Sequence, residues 1–273
     1  GCFDMTRSFG HRIFRLKEHL DRFARSLRYL GIDPGMSMAE MASISEEVFE
    51  RNRHLLGPDD DYWLGQRVSR GVRRVPGDNW DQTGPTVIIE CMPLPLAERA
   101  ASYRDGIRVI VPSVRRTAPD ALSPRAKSHN YLNLIMADQE AHAQDPGSWP
   151  VLLDVNGNLT EGLGSNIFIV RDGELLTPSE RMVLPGISRL TVIELAEAAG
   201  IRWREADLDL FDAYTADEIF LTSTSLCICP VVSVNGRKIG GGQVFGPVTR
   251  RLTDAYVGLV DCDFVAQYLR RLG

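Results

Sequence analysis

The chain has 273 residues, 44% of them apolar and 25% charged, with a net charge of −5. That composition is ordinary for a globular protein with a sizeable core. It excludes a disordered or collagen-like chain, and it carries no basic tract for nucleic acid or an anionic membrane and no window near the roughly 20 apolar residues of a membrane span.

The chain opens on "GCFDMTRSFGHRIF", which reads as a strand already under way rather than as a signal peptide. A preceding stretch with further strands is therefore expected to be missing. In "FRLKEHLDRFARSLRYLG", Leu16, Leu20, Phe23, Leu27 and Leu30 form one apolar helical stripe, and Gly31 is the expected stop. Arg22 lies off that stripe, as either a surface arginine or a fork for phosphate. A second helix is expected in "MSMAEMASISEEVFERNRHLLG", then strands near "DYWLGQRVSRG" and "GPTVIIECMPLP". "GIRVIVPSV" is expected to close a small α/β lobe over residues 1–114.

Residues 115–126, "RRTAPDALSPRA", contain two prolines and little periodicity, and mark a linker. The expected large lobe, 127–273, begins with a helix in "NYLNLIMADQEAHAQ". Hairpin signals follow at "VNGN", "RDGE" and "VNGR". "SRLTVIELAEAAG" predicts a helix from Ser188 to Gly200, "DEIFLTSTSLCICPVVSV" a long strand region, and "GPVTRRLTDAYVGLV" a last helix.

The five cysteines are odd in number and scattered, which favours a reducing compartment. Cys227 and Cys229 have no second pair nearby and read as buried strand residues; no metal site is expected.

Glu161, in "LTEGLGSNIFIV", poses a question. The flanking alternation predicts a buried sheet, and a lone buried carboxylate is costly without a partner. Three further features bear on it. Lys127 stands where linker meets helix, and a desolvated lysine becomes an imine-forming nucleophile. Gly186, Ile187 and Ser188 open a helix whose first amides suit either a plain cap or an anion. Thr222, Ser223, Thr224 and Ser225 are a run of hydroxyls, able to meet phosphate or simply to end a strand. A protonated pyridine ring beside Glu161 neutralises its charge, and the set as a whole suits pyridoxal phosphate.

"FRLKEHLDRFARSL", "AKSHNYLN", "LTEGLGSNIFIV", "VLPGISR", "DEIFLTSTS" and "GPVTRRL" occur in the order and spacing of a known family. The chain resembles the fold-type IV (class IV) pyridoxal-phosphate enzymes, which include branched-chain and D-amino-acid aminotransferases, (R)-amine transaminases and aminodeoxychorismate lyases. The resemblance implies a two-domain α/β (α+β) fold, with a small N-terminal domain and a larger strand-rich C-terminal domain. It implies that Lys127 forms the internal aldimine and shuttles the proton, and that Glu161 meets the ring nitrogen. Arg22, Gly186, Ile187, Ser188, Ser223 and Thr224 would serve the phosphate, Leu184 a ring face and Tyr131 the phenolic oxygen. Tyr131 follows the lysine by four residues where branched-chain enzymes have five.

Phe3, Trp63, Arg73, Arg74, Arg116 and Ser225 are candidate substrate contacts, with Arg115 beside them in the linker. The implied reaction is a ping-pong transfer between an amino acid or chiral amine and a 2-keto acid, in a cytoplasmic homodimer. The alternatives are a lyase of the aminodeoxychorismate type and a non-catalytic dimer on the same fold.

Overall fold

The computed structural model describes residues 1–72 and 84–272 and divides into two compact units. The first comprises Gly1–Leu94 with Ala126–His129; the second comprises Pro95–Arg125 with Asn130–Gly273. Most of the expected linker thus lies within the second unit. Lys127 belongs to the first, in a four-residue segment flanked on both sides by residues of the second.

The first unit is a four-stranded antiparallel sheet with two helices. Its elements are β1 (Cys2–Phe9), β2 (Arg12–Ile13), α1 (Leu16–Leu30), α2 (Met38–Asn52), β3 (Tyr62–Val68) and β4 (Val87–Pro93), with sheet order β2-β1-β3-β4. The predicted stripe is the buried side of α1: Leu20, Phe23 and Leu27 pack with Cys2, Val68 and Met41. Gly31 ends that helix at φ 60°, a left-handed conformation that glycine adopts cheaply.

Strand alternation gives the sheet two unlike faces. Cys2, Val68, Val87 and Ile89 pack in the cluster of α1 and α2. The opposite face carries Phe3, Met5, Trp63, Arg67, Ile88, Glu90 and Met92, aligned by the registers Phe3↔Arg67, Arg67↔Ile88, Gly65↔Glu90 and Trp63↔Met92.

The second unit holds α3 (Leu96–Asp105), β5 (Ile107–Ile110), α4 (Leu132–Gln144), β6 (Trp149–Pro150), β7 (Asn166–Arg171), β8 (Glu174–Thr177), α5 (Ile187–Ala198), β9 (Trp203–Glu205), α6 (Leu210–Tyr214), β10 (Glu218–Ser223), β11 (Cys227–Val234), β12 (Arg237–Lys238), α7 (Pro247–Val260) and α8 (Phe264–Leu269). Its eight-stranded mixed sheet runs β6-β5-β11-β10-β7-β8-β9, with β12 beside β11. The strand at 107–110 does not close the small lobe. It pairs in parallel with β11, where Ile107 and Val109 are buried.

The long region from Glu218 is two antiparallel strands rather than one, because the hydroxyl run turns the chain at 224–226. Two Asn/Asp-Gly signals are tight hairpins with consecutive positive φ angles, at Asp172-Gly173 and Asn235-Gly236. Cys227 and Cys229 are both fully buried in β11, and all five cysteines are free thiols. Among the described residues no helix is long and apolar enough to cross a membrane.

Candidate active site

In the first unit Lys127 and Arg22 are tied to one turn of α1. The Ser26 hydroxyl donates to the Arg22 carbonyl at 3.1 Å and accepts the Lys127 amide at 3.1 Å. Phe3 donates its amide to the Lys127 carbonyl, and the Lys127 Nζ stands 4.6 Å from the centre of the Phe3 ring. His129 stacks on the same ring.

Arg22 is not a surface residue. It is buried, and its Nε and a terminal nitrogen grip Asp4 at 2.9 and 2.6 Å. His19 lies 2.7 Å from the same carboxylate. Burial alone would raise the Asp4 pKa, but Arg22 and His19 outweigh it and hold the carboxyl below the usual range. Burial pushes His19 down; Arg22 and Lys127 add to that against the pull of Asp4.

In the second unit Glu161 is 5% exposed. Arg116 donates from Nε to its Oε1 at 3.0 Å, and a terminal guanidinium nitrogen lies 3.0 Å from the same oxygen. The Leu184 amide donates to Oε2 at 2.9 Å. Arg116, a candidate substrate contact in the sequence, is a partner of the carboxylate, with a side chain only 12% exposed. Asn166 holds the Leu184 carbonyl at 3.0 Å, so Glu161 and Asn166 together fix the segment that leads into α5.

Gly186, not Ser188, is the N-cap of α5 and offers no capping side chain, so the amides that follow keep their orphan character. A Cβ on Gly186 would fall 2.1 Å from the Asn166 Oδ1, which makes the glycine a requirement of that close approach. Ile187 and Ser188 are buried at the start of α5. Arg189 anchors the same turn through Glu205 at 2.7 Å.

Among the hydroxyls, Thr222 is buried with its Oγ1 unsatisfied. Ser223 accepts the Leu226 amide, and Thr224 stands in the turn. The Ser225 hydroxyl accepts from Arg99 and lies 3.3 Å from the Ser223 hydroxyl. Tyr131 precedes the first turn of α4 and packs against the cluster of Leu134, Ala137 and Leu152. Trp63 is half-buried on the open face of the first unit's sheet. Arg73 and Arg74 lie outside the described residues.

This donor set fits pyridoxal phosphate. Glu161 Oε1 is taken up by Arg116, while among the described residues Oε2 has one protein donor and one remaining lone-pair direction for a protonated ring nitrogen. The uncapped α5 amides and the orphaned Thr222 hydroxyl suit phosphate oxygens. Sequence reading missed Arg67: it lies mid-strand, and only the β3–β4 register brings it to Glu90.

A family model described as amino-transferase class IV matches residues 1–234. The putative branched-chain-amino-acid aminotransferase of Methanocaldococcus jannaschii is 38% identical over 259 residues, 94% of this chain and 85% of that protein. The crystal structure of Escherichia coli branched-chain amino acid aminotransferase superposes with a TM-score of 0.85 at 31% identity, covering 95% of this chain and 85% of that one. The branched-chain amino acid aminotransferase of Thermobaculum terrenum in its PLP (holo) form gives 0.81 at 27% identity, over 98% of this chain and 87% of that one.

Fold and relatives together define a transaminase that depends on pyridoxal phosphate. The chain belongs to the class IV aminotransferases, on the α/β fold of fold-type IV.

Proposed function

We propose that this aminotransferase moves the amino group of branched-chain and related aliphatic amino acids to a 2-keto acid by a ping-pong mechanism. The observation that carries this is the lysine-bearing sheet face. Lys127 extends its amine over Phe3 on a face that also presents Met5, Trp63, Ile88 and Met92, an apolar wall suited to an aliphatic side chain. The names of the relatives point to the same substrates.

Pyridoxal phosphate would supply an electron sink when bound. Lys127 would hold its aldehyde group and carry the proton. Glu161, steadied by Arg116, would face the ring nitrogen. Arg22, the Ile187 and Ser188 amides, Thr224 and Ser223 would hold the phosphate, with Leu184 on a ring face and Tyr131 by the phenolic oxygen. We take the first unit as the small lobe and the second as the large lobe. The outer face of α4 exposes Leu132, Ile135 and Met136, which supports burial against a second copy in a homodimer. Five free thiols support the cytoplasm.

The test is a panel of amino donors in both enantiomers with a keto acceptor, following the spectrum of the bound cofactor. The D arm matters because Arg73 and Arg74, on which a D-amino-acid preference would rest, are outside the described residues. Fast turnover of L-leucine, L-valine and L-isoleucine is expected. Pyruvate released without any keto acceptor would instead identify a lyase.

A further inference from the structure

We propose that Arg67 is the residue that takes the substrate's α-carboxylate. This rests on Lys127 being the imine-forming lysine. Arg67 stands directly across from Phe3 in the β1–β3 pair. Its Cζ is 5.3 Å from the Phe3 ring centre and the Lys127 Nζ is 4.6 Å from it, so guanidinium and amine lie within about 10 Å of each other. One aromatic ring thus carries both cations on the open face of the sheet.

The guanidinium is held at one end only. Its Nε donates to Glu90 Oε1 at 2.5 Å, and among the described residues its two terminal nitrogens have no protein partner. Glu90 reaches it diagonally past Gly65, where a Cβ would meet Met5 Sδ at 2.7 Å and crowd Glu90 at 3.4 Å. The glycine therefore lets a carboxylate anchor the inner edge of the fork while the outer edge stays open. Two parallel N–H groups in that geometry match a carboxylate bidentately. The Arg67 side chain is 34% exposed, open to a ligand yet partly shielded from bulk solvent. A plain surface ion pair would leave no directional preference; this one fixes the fork beside an apolar wall and a reactive amine.

The experiment uses cofactor-loaded wild type, Arg67→Met and Arg67→Lys, with loading followed by the absorbance of the bound cofactor. Two quantities are read. One is the Kd of isocaproic acid by calorimetry, a ligand with the carboxylate and no amino group. The other is the ratio of kcat/KM for leucine over isoamylamine, which lacks the carboxylate. Arg67→Met is expected to weaken isocaproic acid at least about tenfold and to lower the ratio by a similar factor, the scale of a lost charged hydrogen bond. Arg67→Lys, which keeps the charge and loses the fork, is expected to weaken the acid as well. Binding of the acid by either loaded variant within about twofold of wild type, a free-energy change too small for a lost ionic contact, overturns the proposal. The acid's Kd decides the role of Arg67 whether or not turnover is seen. A wild type that turns over no amino donor would count against the transaminase assignment alone.

Discussion

Arg116 and Glu161 form a buried ion pair in which two guanidinium nitrogens converge on one carboxylate oxygen, each at 3.0 Å. The carboxylate therefore has a cationic partner of its own, and the lone buried acid suggested by "LTEGLGSN" is compensated within the fold. Removing one member of such a pair leaves an uncompensated charge. Arg116→Gln is expected to destabilise the protein by about 3 kcal/mol, read from urea unfolding. The Arg116→Gln/Glu161→Gln double variant should recover part of that loss, and strict additivity of the two changes would show that the pair is uncoupled.

Lys127→Ala is expected to abolish transamination while the fold persists, because the lysine's backbone bonds to Ser26 and Phe3 do not depend on its side chain. Borohydride treatment of loaded wild type should fix the cofactor to the chain, seen by mass spectrometry, and should fail in the variant. Turnover by the variant would remove Lys127 from its role.

Asp4 gives a pH signature. Its carboxyl is held below the ordinary range in the folded chain, so the stability it contributes is complete above the unfolded value of about 4 and is lost as pH falls toward the folded value. Asp4→Asn should cost about 3 kcal/mol at neutral pH by stranding Arg22. The difference from wild type should hold steady down to about pH 4 and then narrow in more acidic solution. A gap that widens under acid would reverse the sign of the argument. The measurement is urea unfolding across the acid range.

Gly186 has an ordinary φ of −65°, so Gly186→Ala carries no backbone strain. Its main cost comes from the 2.1 Å approach to Asn166 Oδ1, which must move and release the Leu184 carbonyl. A loss of about 1–3 kcal/mol is expected, together with weaker binding of pyridoxal phosphate. Asn166→Ala should relieve the clash. If Gly186→Ala is equally harmful in that background, the clash is not the cause.

Thr222 should respond with opposite signs in the two forms. Its buried Oγ1 lacks a partner, so the near-isosteric Thr222→Val is expected to stabilise the cofactor-free chain by about 1 kcal/mol. If the hydroxyl meets the phosphate, the same change weakens cofactor binding. Equal thermal shifts with and without pyridoxal phosphate would mean the hydroxyl takes no part in binding.

Local signals were legible in the sequence. The stripe from Leu16 to Leu30 became the buried side of α1, and Asp172-Gly173 and Asn235-Gly236 became tight hairpins. Those features depend on neighbours within one or two turns of chain. Helices α3 and α8 were not anticipated; α8 has only six residues, too few for periodicity to register.

The pairings around the site were hidden for a different reason. Asp4 with Arg22, Arg116 with Glu161 and Arg67 with Glu90 join different elements, and a charged residue's partner is not written beside it. An apolar run carries no address, and the strand at 107–110 belongs to the larger sheet rather than to the small lobe. Its parallel pairing with β11 was decided by packing.

The lysine of the first unit arrives late in the chain's own history. Strand β1 and helix α1 are synthesised well ahead of the segment whose carbonyl accepts the Phe3 amide, which emerges only after β5 and the run that follows it. Closing so long a loop is slow, because its entropy is lost before the contact rewards it. A nascent chain halted before Ala126 would carry a bare edge beside Phe3 and no reactive amine. No contiguous N-terminal fragment shorter than that can be competent, and the chain gains its chemistry and seals that edge in one late event.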